Sequence, residues 1–198
     1  MTIPPRPVLI VLHGFNSAGS TEKAEWLREN LPEMDVRSPT YSHNPMDAMR
    51  LLRAYAKEAG DSLGAAPTFL GTSLGGFYAR RLARDYASRA VLLNPVIDPS
   101  ITLEPALGPN LNFKTGERYV LERGHLQGFA AHGIDETQPD PPTLVLLDMA
   151  DELLDSQATA RHFEGRSGVE VVRFAGGEHR FTHLPQALPL IRRHVQAH

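Results

Sequence analysis

Residues 71–75, Gly71-Thr72-Ser73-Leu74-Gly75, follow a short apolar run and precede a stretch with helical patterning. A serine at a sharp strand-to-helix turn, flanked by small residues, is arranged for nucleophilic attack on a carbonyl. The turn exposes the Ser73 hydroxyl at the carboxyl edge of a sheet and aims the Leu74 amide at the oxygen of a bound acyl group. A serine hydroxyl is a weak nucleophile at neutral pH. It needs an imidazole to take its proton and a carboxylate to hold that imidazole in the right tautomer. Bare Gly-x-Ser-x-Gly patterns also arise as ordinary glycine-rich turns, so the case rests on the partners.

Those partners are sought in the chain order serine, acid, histidine, each on a loop that follows a strand. Asp151 comes just after the apolar run 143–149, and His179 just after the run 169–174. Asp148 and Asp155 are the rival acids, one at a strand end and the other at a helix start. Asp151 is preferred because Leu153 and Leu154 can anchor its loop. Among nine histidines, His179 is singled out by Gly176-Gly177 before it and Phe181 after it. His183 is the nearest competitor. His179-x3-His183 has helical metal-ligand spacing, but no further ligand is suitably spaced, so no metal is expected. His43, His125, His132, His162, His194 and His198 read as solvated or locally hydrogen-bonded. Directly after the first strand, His13-Gly14-Phe15-Asn16-Ser17 is where a second oxyanion-binding amide belongs. Phe15 is the candidate beside Leu74, and His13 orients the loop.

Alternating elements must position these groups. Val8, Leu9, Ile10, Val11 and Leu12 form an uninterrupted apolar run, as in a strand buried on both faces. Further strands are expected over 34–37, 67–71, 89–93, 143–149 and 169–174. Helices are expected from Ser20 or Thr21 to about 31, from Asn44-Pro45 onward, over 77–86, over 152–163 and over 184–196. Pro189 should kink or restart the last of these. Six strands with intervening helices predict an α/β fold, a mainly parallel sheet covered on both faces. Residues 96–142 interrupt the alternation. With Pro95 and the flanking residues they hold seven prolines, no clear strand and two weak helical pieces, 118–126 and 126–134. They suggest a small lid whose apolar residues, among them Phe113, Leu126 and Phe129, pack on the sheet edge or line an acyl pocket.

Composition excludes several classes. The 198 residues are sufficient for one domain spanning 1–198, and 41% apolar content is ordinary for a globular chain. A net charge of −3 with no basic patch argues against nucleic acid. The absence of cysteine removes disulfides, thiolate metal sites and a cysteine nucleophile. The first apolar run is too short for a signal peptide or membrane span, so a cytoplasmic protein without membrane association is expected. Only Lys23, Lys57 and Lys114 among the 20 basic residues are lysine.

The segments 12–17, 71–79, 93–95, 112–121, 151–155 and 176–181 together resemble the bacterial YqiA-like esterase family of α/β-hydrolases. The resemblance runs from residue 8 to beyond 181. It implies a small serine esterase with Ser73, Asp151 and His179 as its triad and no cofactor. Thr72 stands where serine is usual, and Glu178 where asparagine is usual, which brings an additional carboxylate next to His179. The leading expectation is hydrolysis of small carboxylic esters, or thioesters, through an acyl-enzyme. The alternatives are a non-catalytic binding module on the same fold, or an acyltransferase or peptidase using the same three groups.

Overall fold

The computed structural model describes residues 6–196. Six strands form one parallel sheet: β1 (Val8–Leu12), β2 (Asp35–Arg37), β3 (Thr68–Thr72), β4 (Ala90–Leu93), β7 (Thr143–Asp148) and β8 (Val169–Phe174). Their spatial order is β2-β1-β3-β4-β7-β8, and every neighbouring pair is parallel. Parallel pairing puts all carboxyl ends on one edge, so the loops after the strands gather there.

Side-chain alternation divides the core into two layers. Val8, Ile10, Leu12, Phe69, Leu92, Val145 and Leu147 face α2 (Pro45–Leu63), α3 (Leu74–Asp85), α5 (Arg123–Ala131) and α6 (Ser156–Phe163). Leu9, Val11, Leu70, Val91, Leu93, Leu144 and Leu146 face α1 (Glu22–Asn30) and α7 (Leu184–Gln196). The caps follow from the residues. Thr21 accepts from the Ala24 amide at the start of α1, and Asn44 accepts from the Met46 amide with Pro45 at the first position of α2. Pro189 lies inside α7, which continues through it without a restart.

The interruption contains more order than its sequence suggested. After a short helix α4 (Pro99–Thr102) and a 3-10 turn at Glu104–Ala106, strands β5 (Gly108–Leu111) and β6 (Arg118–Leu121) form an antiparallel hairpin. A strand thus occupies the start of the expected helical piece 118–126, and the helix that follows is α5. The hairpin is set by its turn. Asn112 Oδ1 accepts from the amides of Lys114 and Thr115 at 3.0 and 3.1 Å, and Gly116 takes the left-handed conformation that closes it (φ 76°). Farther along, Arg80 of α3 is nearly fully buried and pairs with Asp140 and Glu136, with Arg166 completing the cluster. This cluster fastens the returning end of the insertion to the main layer.

Two boundaries matter for the site. Helix α3 begins at Leu74, immediately after Ser73, three residues earlier than expected. Helix α6 begins at Ser156 instead of 152, capped by Asp155, which accepts from the Ala158 amide at 2.9 Å. Residues 149–155 are therefore a loop.

Candidate active site

Ser73 sits between β3 and α3 with φ 56° and ψ −123°, a conformation that side-chain-bearing residues rarely adopt and that surrounding bonds must enforce. Its amide donates to Leu93 O at 3.0 Å, and its carbonyl accepts from the amides of Gly76 and Val96 at 2.8 and 3.0 Å. The flanking glycines serve close packing. A Cβ on Gly71 would lie 2.0 Å from Gly75 O, and one on Gly75 would lie 2.2 Å from Leu12 O. Neither glycine has positive φ, so the turn needs them for approach and not for unusual dihedrals.

The β8–α7 loop brings His179 back across the sheet edge. Its Nδ1 lies 3.0 and 2.9 Å from the two carboxylate oxygens of Asp151, and its Nε2 lies 2.9 Å from Ser73 Oγ. A carboxylate only accepts, so Nδ1 carries the proton and Nε2 is free to accept from the serine hydroxyl. Asp151 is itself oriented by the Leu153 and Leu154 amides, which donate to Oδ1 at 2.8 and 2.9 Å. Its side chain is 1% exposed and that of His179 is 15% exposed. The three sequence candidates thus form one hydrogen-bonded chain leading outward to the serine.

The rival acids have other tasks. Asp155 caps α6. Asp148, fully buried at the end of β7, is a hub for the histidine loop. Its Oδ2 accepts from the Glu178 amide (3.2 Å), the Thr182 amide (2.7 Å) and the Thr182 hydroxyl (3.1 Å), and its Oδ1 accepts from His183 Nδ1 (2.7 Å). His183 is thereby a partner of Asp148 and does not reach Ser73. Gly177 packs on the same carboxylate: with φ 78°, a Cβ there would lie 2.1 Å from Asp148 Cγ. The Glu178 side chain is exposed and forms no hydrogen bond to His179. The second carboxylate on His179, besides Asp151, is that of Glu152, whose Oε2 accepts from the His179 amide at 2.9 Å. Asn94 has no counterpart in residue-level reasoning from the sequence. It is buried, has φ 41°, and donates from Nδ2 to the carbonyls of Glu178 and His179 at 2.9 and 3.1 Å while its Oδ1 accepts from the Asp148 amide. An asparagine directly after an apolar strand, ahead of a proline, was its only sequence signal.

The loop after β1 forms the opposite wall. Phe15 and Leu74 both border the cleft beside Ser73. Among the described residues the Phe15 amide makes no hydrogen bond, and Leu74, as the first residue of α3, has no carbonyl one turn back within the helix to bond. His13 steadies this loop. Burial lowers its pKa to about 4, so the ring is neutral, and Nδ1 donates to Gly14 O at 2.9 Å. Its ring stacks on Tyr41 at 3.9 Å. Tyr41 also donates its hydroxyl to His13 O.

The hairpin grips the same loop. Tyr119 donates to Asn16 Oδ1 at 2.6 Å, Asn16 Nδ2 donates to Asn110 Oδ1 at 3.2 Å, and Asn112 Nδ2 donates to Ser17 O at 2.8 Å. Asn112 and Tyr119 therefore face the cleft. Of the apolar residues expected to pack on the sheet edge or line a pocket, Leu126 and Phe129 are buried in the core and Phe113 is 79% exposed. The cleft holds about 20 Å³ of free space, little more than one water needs. A roomier hollow of about 170 Å³ lies elsewhere, between Arg81, Arg84, Asp85, Ile134 and Asp135. Arg81 is already paired with Asp85 there, and none of the candidate residues lines it.

Residues 8–195 match the profile of an uncharacterised protein family, UPF0227. The chain belongs to this family. A UPF0227 protein of Shewanella sp. (strain MR-7) is 27% identical over 192 residues, covering 93% of this chain and 97% of that one. One from Vibrio cholerae is 29% identical over 166 residues, covering 79% and 83%. Among solved structures, Est1E from Butyrivibrio proteoclasticus superposes with a TM-score of 0.75 at 17% identity, over 96% of this chain and 87% of that one. A structure reported for LipS and LipT, two metagenome-derived lipolytic enzymes, gives a TM-score of 0.73 at 14% identity, over 100% and 96%. The fold is that of the α/β-hydrolases, as the sequence predicted. Among the described residues, no helix is long and apolar enough to cross a membrane.

Proposed function

We propose that the protein is a serine hydrolase that cleaves small carboxylic esters, and thioesters of similar size, through an acyl-enzyme. One observation carries the reading: an unbroken hydrogen-bond chain from Asp151 through His179 to Ser73, ending on a serine held in a strained turn. A buried carboxylate, a tautomer-fixed imidazole and a strained nucleophile have no combined purpose in a binding module. The esterases and lipolytic enzymes that share the fold, and the resemblance of the motifs to YqiA-like esterases, support the same assignment. One of the Est1E structures holds ferulic acid, a carboxylic acid of the kind an ester hydrolase releases.

In this mechanism the Ser73 oxygen attacks the ester carbonyl while His179 Nε2 takes the hydroxyl proton. Asp151 keeps Nδ1 protonated and stabilises the imidazolium. The amides of Phe15 and Leu74 donate to the developing oxyanion, each worth about a hundredfold or more in rate. His179 then returns the proton to the leaving alcohol or thiol, and water repeats the sequence to release the acid. The hairpin, bonded to the loop after β1, acts as a cover.

The test is labelling with a fluorophosphonate, followed by hydrolysis of p-nitrophenyl esters of graded acyl length. Labelling at Ser73 and turnover on acetyl and propionyl esters are expected. No labelling, or labelling elsewhere, refutes the reading.

A further inference from the structure

Strand β3, which carries Ser73, and strand β8, which leads to His179, are not neighbours, because β4 and β7 lie between them. No single ladder of backbone bonds therefore joins the nucleophile's strand to the imidazole's; three successive ladders lie between them. Asn94 ties the histidine loop to the end of β4, whose Leu93 carbonyl and nearby Val96 amide bond the Ser73 backbone, and Asp148 ties it to the end of β7. A second tie, made by one side chain alone, comes from the helix side. Lys23 of α1 extends its ammonium between the two, donating to Thr72 Oγ1 at 3.1 Å and to Arg180 O at 2.6 Å. Thr72 directly precedes Ser73, and Arg180 directly follows His179. Apart from the His179–Ser73 contact itself, no other side chain among the described residues hydrogen-bonds to both segments.

We propose that Lys23 is a positioning residue, whose ammonium cross-ties the serine turn to the histidine loop and holds Ser73 Oγ within proton-transfer distance of His179 Nε2. The proposal rests on the hydrolase reading for its kinetic consequence but not for its geometry. The chemistry suits lysine. A compact ammonium on a flexible stem can direct separate donors at two acceptors at an angle, which a planar guanidinium does less well. In a chain whose basic residues are otherwise almost all arginine, the other two lysines are exposed and only this one turns inward. Its surroundings are mixed: Asp148 of β7 attracts it, the Arg180 guanidinium repels it, and the Phe181 ring centroid lies 5.7 Å away. Burial outweighs these and brings its pKa down to about 7, so a costly desolvation is tolerated where the two bonds are made. Thr72, in place of the serine usual in the resembling family, retains the hydroxyl that accepts.

The experiment compares wild type with Lys23→Met, which keeps the stem and removes the donors, and with Thr72→Val and Thr72→Ser. Crystal structures of each give the Ser73 Oγ–His179 Nε2 distance, and steady-state kinetics on p-nitrophenyl acetate give kcat and KM separately. Lys23→Met is expected to lengthen the contact beyond hydrogen-bond range and to lower kcat roughly ten- to hundredfold with KM little changed, as misplacement by about 1 Å does. Thr72→Val should move both in the same direction and Thr72→Ser should leave both at wild-type values. If Lys23→Met fails to fold, the two Thr72 variants decide the matter. A contact unchanged from 2.9 Å in Lys23→Met or Thr72→Val overturns the proposal. If the wild type neither hydrolyses esters nor reacts with fluorophosphonate, the hydrolase reading fails, and the distances alone then judge Lys23.

Discussion

Asp148 and Asp151 lie three residues apart, both buried, each bonded to a histidine, yet the structure predicts opposite consequences for removing their charge. Asp148 accepts four hydrogen bonds, two from backbone amides of the histidine loop, one from a hydroxyl and one from His183. Hydrogen bonds to a charged group contribute about 1.5–3 kcal/mol each when measured singly. They are not independent here, and stripping the partner from a buried ionic group costs about 3–5 kcal/mol in total. Asp148→Asn retains shape but turns an NH2 group toward donors on one side or the other, so most of that loss should appear. For a chain of this length each kcal/mol lowers Tm by about 2–4 °C, which gives a fall of roughly 6–20 °C.

Asp151→Asn should behave differently. Its oxygen can still accept from the Leu153 and Leu154 amides, so Tm should change little. The imidazole tautomer is no longer enforced, and kcat on a short ester should fall about ten-thousandfold. Calorimetry on both variants, with kinetics well below the Tm of Asp148→Asn, separates the two effects. Near-wild-type Tm with abolished turnover in Asp148→Asn, and the converse in Asp151→Asn, would reverse the assignment and refute the reasoning.

Other perturbations test different links. Ser73→Ala should fold normally and abolish fluorophosphonate labelling; retained turnover within a few-fold of wild type would show another nucleophile. Gly75→Ala forces a Cβ to 2.2 Å from Leu12 O, so it should yield little soluble protein, a result read directly from expression and circular dichroism. Tyr119→Phe removes the hydroxyl bonded to Asn16 and should slow hydrolysis by about two- to tenfold, the worth of one hydrogen bond, at every acyl length if the clasp acts through the oxyanion loop. The Lys23 pKa falls from 10.5 unfolded to about 7 folded. Between those values the unfolded chain holds the extra proton, so this group makes stability rise with pH, by up to about 1.4 kcal/mol per unit. Urea unfolding from pH 7 to 10 should show that rise in wild type and its loss in Lys23→Met.

The sheet was legible because its strands are short apolar runs buried on both faces and bounded by turn residues, a pattern that residues 8–12 and 143–148 display plainly. The hairpin was not. Its strands have four residues each, one contains Pro109, and both are partly exposed, so neither alternation nor an apolar run marks them. What forms them is the turn chemistry of Asn112 and Gly116 and contacts to residues far away in sequence. Which of the insertion's apolar residues pack on the sheet edge and which line a pocket was not legible for a related reason. Apolarity predicts that a residue will be buried, but not against which surface, and Phe129 found the α3 aromatic residues Phe77 and Tyr78 instead.

The carboxylates mark the limit more sharply. Chain order and loop position brought Asp151 forward, together with Leu153 and Leu154, which can anchor its loop. Asp148 was visible only as a rival, because its role consists of bonds to residues 178–183 that no local pattern encodes. The same holds for Asn94 and Lys23, whose partners are 49 to 157 residues away. Residues that exchange protons must sit on loops after strands, and loops after strands can be counted along a chain. The residues that hold those loops against one another are selected by the separation of β3 from β8 across the sheet, a quantity that exists only once the strand order is known. The chemistry of this site is therefore local in sequence, and its precision is topological.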